Sequence, residues 1–205
     1  MKFLLGTKQN MTEYFSADGK VHPATIISAG PVVITQVKTK ETDGYSALQV
    51  GFGEKKAKNL SKALIGHFAG KGNFAEVREF RVSAEEASAV NAGDAVTVET
   101  FKEGDKVTIS GLSKAKGFQG VIKRHNFKGG PRSHGQKHSE RAPGSIGGGL
   151  RNRVPKGMRM GGRTGGDRIT VSNLKVLAVD LETNTLLVEG AVPGRRGTVL
   201  EIVIK

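Results

Sequence analysis

The most restrictive feature of this 205-residue sequence is a long stretch that cannot form a hydrophobic core. Residues 128–165 contain only six apolar side chains: Ala142, Ile146, Leu150, Val154, Met158 and Met160. So few apolar groups cannot offset the conformational entropy that is lost when a backbone of this length becomes ordered. We therefore expect this stretch to lie outside the hydrophobic core of the protein.

The positive charge of the protein is concentrated in the same region. The whole chain has 32 Lys and Arg, 19 Asp and Glu, and a net charge of +13. Residues 112–168 carry fourteen of the basic residues and only two acids, Glu140 and Asp167, so the rest of the chain has 18 basic and 17 acidic residues. A one-sign segment repels itself when it is free, and it therefore indicates an anionic partner.

Outside this region the sequence is typical of a mainly β protein. Residues 46–52 alternate Leu48, Val50 and Phe52 with polar or small neighbours, which is the period of a half-buried strand. Short strands separated by turns favour a barrel or a sandwich. The predicted strands are 25–27, 31–39, 46–52, 95–100, 106–109, 169–171, 174–179, 186–188 and 198–204.

Two helices are predicted within a small α-containing lobe at about residues 55–95. Residues 59–69 place four apolar side chains on one stripe behind Asn59, which we expect to be the N-cap. Ser83 and Glu86 have the spacing of a capping box, which predicts a second helix that ends near Val90.

Because the β pattern resumes at Ile169, the basic region is predicted to be an insertion and not a tail. The expected organisation is a β domain formed by residues 1–111 and 169–205, split by an extended, glycine-rich arm at residues 112–168. If the arm doubles back near Gly147, each leg could reach up to ~65 Å.

Several functional classes receive no support from the sequence. The chain has no Cys, which excludes disulfides, thiolate metal sites and cysteine nucleophiles. The first residues lack the apolar length of a signal peptide, and no window has the length of a membrane span, so we expect a cytoplasmic protein. The Gly-rich stretch 141–149 lacks the Gly-Lys-Ser/Thr ending of a phosphate-binding loop, and no base stands at a diagnostic spacing from Ser145. We predict a protein that is not an enzyme and that needs neither a cofactor nor a small-molecule substrate.

Three histidines, His125, His134 and His138, raise the alternative of a metal site, since the last two have the spacing of one helical turn. Gly135 disfavours a helix between them, Glu140 is the only nearby acid, and the surrounding Lys and Arg repel a cation. We predict no metal site.

The composition of the arm favours RNA binding. Basic side chains at intervals of two to four residues neutralise phosphates, glycines allow close approach of the backbone, and Phe and His can stack on unpaired bases. The remaining alternative is a flexible basic linker or a localisation tract. The candidate RNA-binding residues are Lys114, Lys116, Phe118, Lys123, Arg124, His125, Phe127, Lys128, Arg132, His134, Lys137, His138, Arg141, Ser145, Gly147, Gly148, Gly149, Arg151, Arg153, Lys156, Arg159, Arg163 and Arg168.

Five segments of the sequence resemble one family, the bacterial form of the third protein of the large ribosomal subunit. The resemblance covers nearly the whole chain. The segments that carry it are residues 117–135, 141–147 (Arg-Ala-Pro-Gly-Ser-Ile-Gly), 6–12 (Gly-Thr-Lys-Gln-Asn-Met-Thr), 171–174 (Val-Ser-Asn-Leu) and 190–194 (Gly-Ala-Val-Pro-Gly).

This resemblance implies a split β-barrel like that of translation factors, with a finger that runs through ribosomal RNA towards the peptidyl transferase centre. It also implies a role in early subunit assembly and contacts with neighbouring ribosomal proteins. The chain departs from the family's pattern at two places. Asn10 replaces a usual Gly, and we expect it to preserve a turn there because Asn tolerates a left-handed backbone. The tip, residues 147–153, lacks the Gln that is methylated in many relatives, so we expect no such modification.

Two rival functions remain open at this point. An RNA-modifying enzyme with a basic guiding arm would need a cofactor motif or a catalytic constellation, and the β portion shows neither. A DNA-packing protein would not need a long single-stranded reach. Binding to structured RNA, duplex DNA and mononucleotide cofactors separates the three.

Overall fold

The computed structural model describes residues 2–150 and 152–204 of the chain. The described part is mainly β. Its strands are β1 Phe3–Phe15, β2 Val21–Ser28, β3 Val32–Lys38, β4 Ala47–Glu54, β5 Phe74–Arg81, β6 Ala95–Val96, β7 Lys106–Leu112, β8 Phe118–Gln119, β9 Gly162–Arg163, β10 Arg168–Asp180, β11 Thr185–Glu189 and β12 Val199–Ile204. Its α-helices are α1 Lys40–Asp43, α2 Lys62–Phe68, α3 Ala84–Ser88 and α4 Val121–His125, with 3-10 turns at Ala57–Asn59 and Val98–Thr100.

The chain divides into two compact units. The first, here called the barrel unit, consists of residues 1–112 and 168–205. The second, called the arm unit, consists of residues 113–167. The chain passes from one unit to the other after Leu112 and again after Asp167.

Six strands of the barrel unit form a closed barrel in the order β1-β12-β7-β10-β11-β2. All neighbouring pairs are antiparallel, and β12 closes the barrel between β1 and β7. Closure leaves no open sheet edge around the ring. The predicted fold class, a mainly β protein built on a barrel, is confirmed.

The barrel core draws on chain segments from both sides of the arm. Leu4 and Leu5 of β1, Ile109 of β7, and Leu200 and Ile202 of β12 are all fully buried. On β12, Leu200 and Ile202 are buried while Glu201 between them is not, as the two-residue period of a strand requires. Burial of each such side chain stabilises the fold by roughly 1.5–3 kcal/mol. Because these residues come from both sides of the arm, neither half of the split sequence forms the barrel core alone.

A second, four-stranded sheet of the barrel unit has the strand order β5-β4-β3-β6. Two strands predicted from the sequence, 31–39 and 46–52, correspond to β3 and β4 of this sheet. β5 was not predicted, because Glu and Arg interrupt the apolar pattern of Phe74–Arg81. The predicted strand 95–100 is partly wrong. Only Ala95–Val96 is a strand, and the chain then makes a 3-10 turn that buries Val98 and is held by the Thr100 hydroxyl, which donates to the Thr97 carbonyl.

The two predicted helices are found with different accuracy. In α3 the Ser83 hydroxyl accepts from the Glu86 amide, and the Glu86 carboxylate accepts from the Ser83 amide, so the capping box is confirmed. The predicted start of the other helix is wrong. Helix α2 begins after Ser61, whose hydroxyl accepts from the Leu64 amide, and Asn59 belongs to the preceding 3-10 turn.

The turn expected at Asn10 is also absent. Asn10 lies inside strand β1 and does not have the positive φ angle expected for it. The pairing of β1 with β2 shifts register between Lys8 and Met11, which gives a bulge at this point of the strand. A bulge accommodates the irregular sequence without ending the strand.

Candidate nucleic-acid interface

The arm unit begins as two paired legs. The Ser113 amide donates to the Asp167 carbonyl at 2.9 Å, and the Lys116 amide donates to the Thr164 carbonyl at 2.9 Å. Strands β8 and β9 continue this pairing, with Phe118 opposite Arg163. The base of the arm is therefore an ordered two-stranded ribbon, although its sequence carries few apolar residues.

Helix α4 ties the first leg to the second. The Arg124 Nη1 group donates to the Met160 carbonyl at 2.9 Å, and the His125 Nε2 lies 3.0 Å from the same oxygen. Val121 packs underneath, with 4% of its surface exposed. A Cβ atom on Gly162 would lie 2.5 Å from Arg124 Nη1, so any side chain at this position would displace the Arg124 guanidinium. Arg124 and His125 thus shape the arm, whatever else they contact.

A loop between residues 129 and 140 closes on itself. The Gly130 amide donates to the Glu140 carbonyl at 2.9 Å, and Arg132 Nε lies 2.6 Å from the Glu140 carboxylate. Gly129 has a φ of +77°, and a Cβ on it would lie 2.5 Å from the Glu140 carbonyl. The loop borders an open pocket of about 530 Å³ that is lined by Phe127, by the neighbouring glycines and by Pro143. A concave surface of this kind can accept a planar group such as an unpaired base.

The tip of the arm, residues 141–150 and 152–154, is exposed throughout. The Ser145 hydroxyl donates to the Gly147 carbonyl at 2.9 Å. Nothing lies within 4 Å of the positions where Cβ atoms would stand on Gly148 and Gly149. The tip therefore presents bare backbone flanked by basic side chains.

Almost all candidate side chains of the arm face solvent. His125 and Phe127 are half-buried, and Arg151 lies outside the described residues. The exposed candidates are Lys114, Lys116, Phe118, Lys123, Arg124, Lys128, Arg132, His134, Lys137, His138, Arg141, Ser145, Gly147, Gly148, Gly149, Arg153, Lys156, Arg159 and Arg163.

Few of the positive charges of the arm are neutralised by other side chains of the described residues. Arg132 pairs with Glu140, and the guanidinium of Arg159 lies 5.8 Å from the centre of the Phe127 ring. Lys123, Lys128, Lys137 and Arg141 have no ion-pair partner in the part of the chain that the structure describes. These cations project a strong positive field that a polyanion can neutralise.

Arg168, predicted as part of the arm, is instead the first residue of β10 in the barrel unit. Its guanidinium makes two hydrogen bonds to the Glu201 carboxylate on β12. Glu201 also lies 3.4 Å from Arg78 Nε. Arg168 is therefore partly neutralised by its own protein, unlike the exposed lysines of the arm.

The aromatic candidates lie in two different environments. Phe118 is 78% exposed, so its ring is free to stack on a base. Phe127 is half-buried beside His125, with ring centres 6.1 Å apart. Among the described residues, no three His, Asp or Glu side chains come together as a metal site. No described helix has the length and apolar character needed to cross a bilayer.

Two polar side chains that help to shape the arm, Ser113 and Gln119, were not found by sequence reasoning. The Ser113 hydroxyl donates to the Gly165 carbonyl, and the Gln119 side chain donates to the Lys116 carbonyl at 2.6 Å. Ser113 and Gly165 lie 52 positions apart, and no local spacing rule connects such partners. The excess of glycine was the only available signal, because close contacts between legs require residues without side chains.

Comparison with known proteins assigns the family. The family model described as ribosomal protein L3 matches residues 8–187. The chain belongs to the ribosomal protein L3 family. It is 49% identical over 195 residues to large ribosomal subunit protein uL3 of Herpetosiphon aurantiacus, covering 94% of this chain and 91% of that protein. It is 46% identical to the uL3 protein of Dehalococcoides mccartyi, over 97% of this chain and 96% of the relative.

A third relative, uL3 of Finegoldia magna, is 46% identical over 98% of this chain and 97% of its own length. The resemblance predicted from the sequence motifs is thereby confirmed. Members of this family are structural ribosomal proteins and not enzymes. The prediction of a non-enzymatic protein is confirmed by family membership.

Proposed function

We propose that this protein is a structural constituent of the large ribosomal subunit that binds ribosomal RNA through its arm unit. Its family and the names of its relatives support the assignment to the large subunit. Its partners are then large-subunit ribosomal RNA and neighbouring ribosomal proteins, and its location is the ribosome in the cytoplasm.

The observation that carries the proposal is the set of exposed arm cations that have no ion-pair partner among the described residues. The arm unit, residues 113–167, carries thirteen Lys and Arg against two acids, and one of those acids, Glu140, is already paired with Arg132. Each Lys or Arg that contacts a phosphate releases a condensed counterion, and this release is the main source of affinity for nucleic acid. The arginines can also hold a phosphate with two parallel hydrogen bonds.

The arm divides into a base and a tip with different properties. The base, residues 113–125 and 160–167, is ordered by pairing between the legs and by helix α4. An interface that is ordered before binding loses less conformational entropy in the complex. We assign anchoring and the nucleation of early subunit assembly to the base and the barrel.

The tip has the composition of a segment that fits into crowded RNA. Gly147, Gly148 and Gly149 add no side chain, and Arg141 and Arg153 flank them. Bare backbone approaches bases and riboses closely, while the flanking guanidinium groups neutralise phosphates. In this proposal the tip lies towards the peptidyl transferase centre and adjusts the RNA there.

The test replaces four exposed arm cations, Lys123, Lys128, Lys137 and Arg141, by Gln. Arg124 and Arg132 are left intact because they hold the arm's own structure. If the arm neutralises about 6–10 phosphates, the affinity of the unmodified protein for large-subunit ribosomal RNA falls by roughly 10³–10⁵ between 50 and 200 mM salt. The fourfold variant should show a clearly flatter dependence.

A matched control removes four exposed lysines of the barrel unit, Lys55, Lys56, Lys58 and Lys62, which lowers the net charge equally. Its salt dependence should stay close to that of the unmodified protein. An unchanged slope in the arm variant would move the binding surface out of the arm. Stronger binding to duplex DNA than to structured RNA would support a DNA-packing protein instead.

A further inference from the structure

The turn between β11 and β12 presents two adjacent arginines, Arg195 and Arg196, on the surface of the barrel unit. Both side chains are exposed, whereas Val192, Pro193 and Gly194 immediately before them are buried. Thus the backbone that leads into the turn is packed into the protein while its two guanidinium groups face solvent.

Lys8 of β1 fixes the first half of this turn. Its ammonium group donates to the Val192 carbonyl at 2.7 Å and to the Gly194 carbonyl at 3.0 Å. The Lys8 amide donates to the Thr198 carbonyl at 2.9 Å, and the Gly197 amide donates to the Lys8 carbonyl at 2.8 Å. Lys8 therefore connects both ends of the turn to the barrel wall.

Thr198 and two glycines fix the second half. The Thr198 hydroxyl accepts from the Arg195 amide at 3.0 Å, and the Thr198 amide donates to the Arg195 carbonyl at 3.1 Å. Gly194 and Gly197 have φ angles of +86° and +82°. A Cβ on Gly194 would lie 2.5 Å from the Thr198 hydroxyl. Hydrogen bonds to Lys8 and Thr198 thus hold the backbone of this turn at both of its ends.

The charge around the turn is unbalanced. No acidic residue occurs between Glu189 and Glu201, and those two carboxylates already contact His22 and the pair Arg78 and Arg168. The guanidinium of Arg81 lies over the Tyr45 ring. Among the arginines of the described barrel unit, the two of this turn alone have neither an acidic nor an aromatic partner there.

We propose that the Arg195–Arg196 turn is a phosphate-binding site for the backbone of ribosomal RNA, separate from the arm. The inference rests on the proposed function, since it takes ribosomal RNA as the partner. Two planar donor groups on a fixed backbone match two phosphate oxygens each, and little backbone entropy is lost on binding. The barrel unit, whose net charge is close to neutral, thereby has a local RNA-binding site that its net charge does not indicate.

An acidic protein surface is the other class of partner that two arginines could contact. RNA is favoured because the same chain carries a one-sign arm that already requires a polyanion. A protein partner also gives a different experimental result, since removal of the arginines would then leave the RNA salt dependence unchanged.

The test compares R195Q/R196Q with K55Q/K56Q, which removes two exposed cations from the same unit. Binding to large-subunit ribosomal RNA is measured from 50 to 300 mM salt. Two lost phosphate contacts should make the slope of log affinity against log salt shallower by roughly 1.4–1.8. The lysine control should leave that slope unchanged, and an equal change in both variants would overturn the site.

A second variant tests the role of the fixed backbone. Lys8→Met keeps both arginines but removes the ammonium group that holds the turn. It should weaken RNA binding severalfold in the unmodified protein and have no effect in the R195Q/R196Q background. Additive losses would mean that Lys8 acts independently, and would overturn the positioning role.

The fourfold arm variant, measured beside these, separates two failures. If it flattens the salt dependence while R195Q/R196Q does not, the turn is not a site and the proposed function stands. If neither variant changes the slope, the proposed RNA-binding function itself fails.

Discussion

Individual glycines of the arm have opposite structural meanings. At Gly129 the backbone has a positive φ, and a Cβ would collide with the Glu140 carbonyl at 2.5 Å. At Gly148 the backbone φ is not positive, and nothing lies within 4 Å of a Cβ position. The protein's own structure therefore explains Gly129. Nothing in the described structure requires glycine at position 148, and in the proposed function ribosomal RNA lies against this open backbone.

Replacement of Gly148 by Val should leave folding and most RNA affinity intact, because the side chain enters open space and no charge changes. What should change is the packing of RNA around the tip. Subunits that carry Gly148→Val should incorporate the protein normally but show an altered rate of peptidyl transfer or altered antibiotic sensitivity. Failed incorporation with an intact barrel would show that the tip is itself an assembly anchor.

Gly129→Ala serves as the contrasting variant. It should disturb the loop 129–140 through backbone strain of about 1–3 kcal/mol and through the collision with Glu140. Trypsin should then cleave at Arg132, Lys137 and Arg141 faster than in the unmodified protein, while Gly148→Val leaves cleavage at these residues unchanged.

At the scale of elements, β5 is held to the other strands of the second sheet by hydrogen bonds between side chains as well as by its backbone hydrogen bonds to β4. The Glu79 carboxylate accepts from Lys38 at 2.8 Å, from the Tyr45 hydroxyl at 2.7 Å and from Gln49 at 3.3 Å. These hydrogen bonds, that of Lys38 first, hold the pKa of Glu79 below its usual value. The hydrogen bond of Lys38 to Glu79, followed by its hydrogen bond to the Tyr45 hydroxyl, raises the pKa of Lys38.

The lowered pKa of Glu79 makes a prediction about acid stability. A carboxyl whose pKa is lower in the folded state stabilises the fold above its unfolded pKa of about 4.3 and loses that contribution as the pH falls through the folded value. Glu79→Gln should therefore lower the free energy of unfolding most at neutral pH, and the difference from the unmodified protein should shrink below about pH 4. Urea unfolding at several pH values measures this.

The control for this prediction is Glu13→Gln, which changes an exposed carboxyl without an ion-pair partner in the described residues. Its effect on the free energy of unfolding should be small. A Glu79→Gln difference that stays constant down to about pH 2 would contradict the assigned role of the carboxylate.

At the scale of the whole molecule, the chain leaves the barrel unit and returns to it at two residues that are paired with each other. Leu112, the last residue of β7, lies directly opposite Arg168, the first residue of β10. Two antiparallel strands whose end residues are directly paired can be joined by a two-residue hairpin turn. The barrel unit therefore has a complete ladder at the place where the arm leaves and re-enters it.

Replacing residues 113–167 by Asn-Gly should give a barrel that still folds cooperatively. The shorter connection costs less loop-closure entropy, so the melting temperature should not fall. RNA affinity should drop to the residual contribution of the barrel surface. Circular dichroism and thermal melting measure the first expectation, and RNA titration measures the second. An unfolded product, also with a longer Gly-Ser connection in place of Asn-Gly, would show that the arm supports the barrel.

The sequence by itself determined the features that depend on local composition. The concentration of charge in residues 112–168 is evident from the order of the amino acids alone, as is the shortage of apolar groups in the arm. The capping box of α3 is equally evident, because its two partners lie three residues apart. These features depend on composition or on neighbours in the chain, so their physics can be read without tertiary contacts.

Tertiary structure decided the features whose partners are distant. The polar half of β1 and the charged strand β5 are strands because β2 and β4 supply their hydrogen bonds. Arg168 is tied to Glu201, 33 residues away, and the arginine turn is fixed by Lys8, which lies 184 residues from Val192. No local pattern encodes the last two contacts, and the contact of Lys8 with Val192 forms only when closure of the barrel brings the two ends of the chain together.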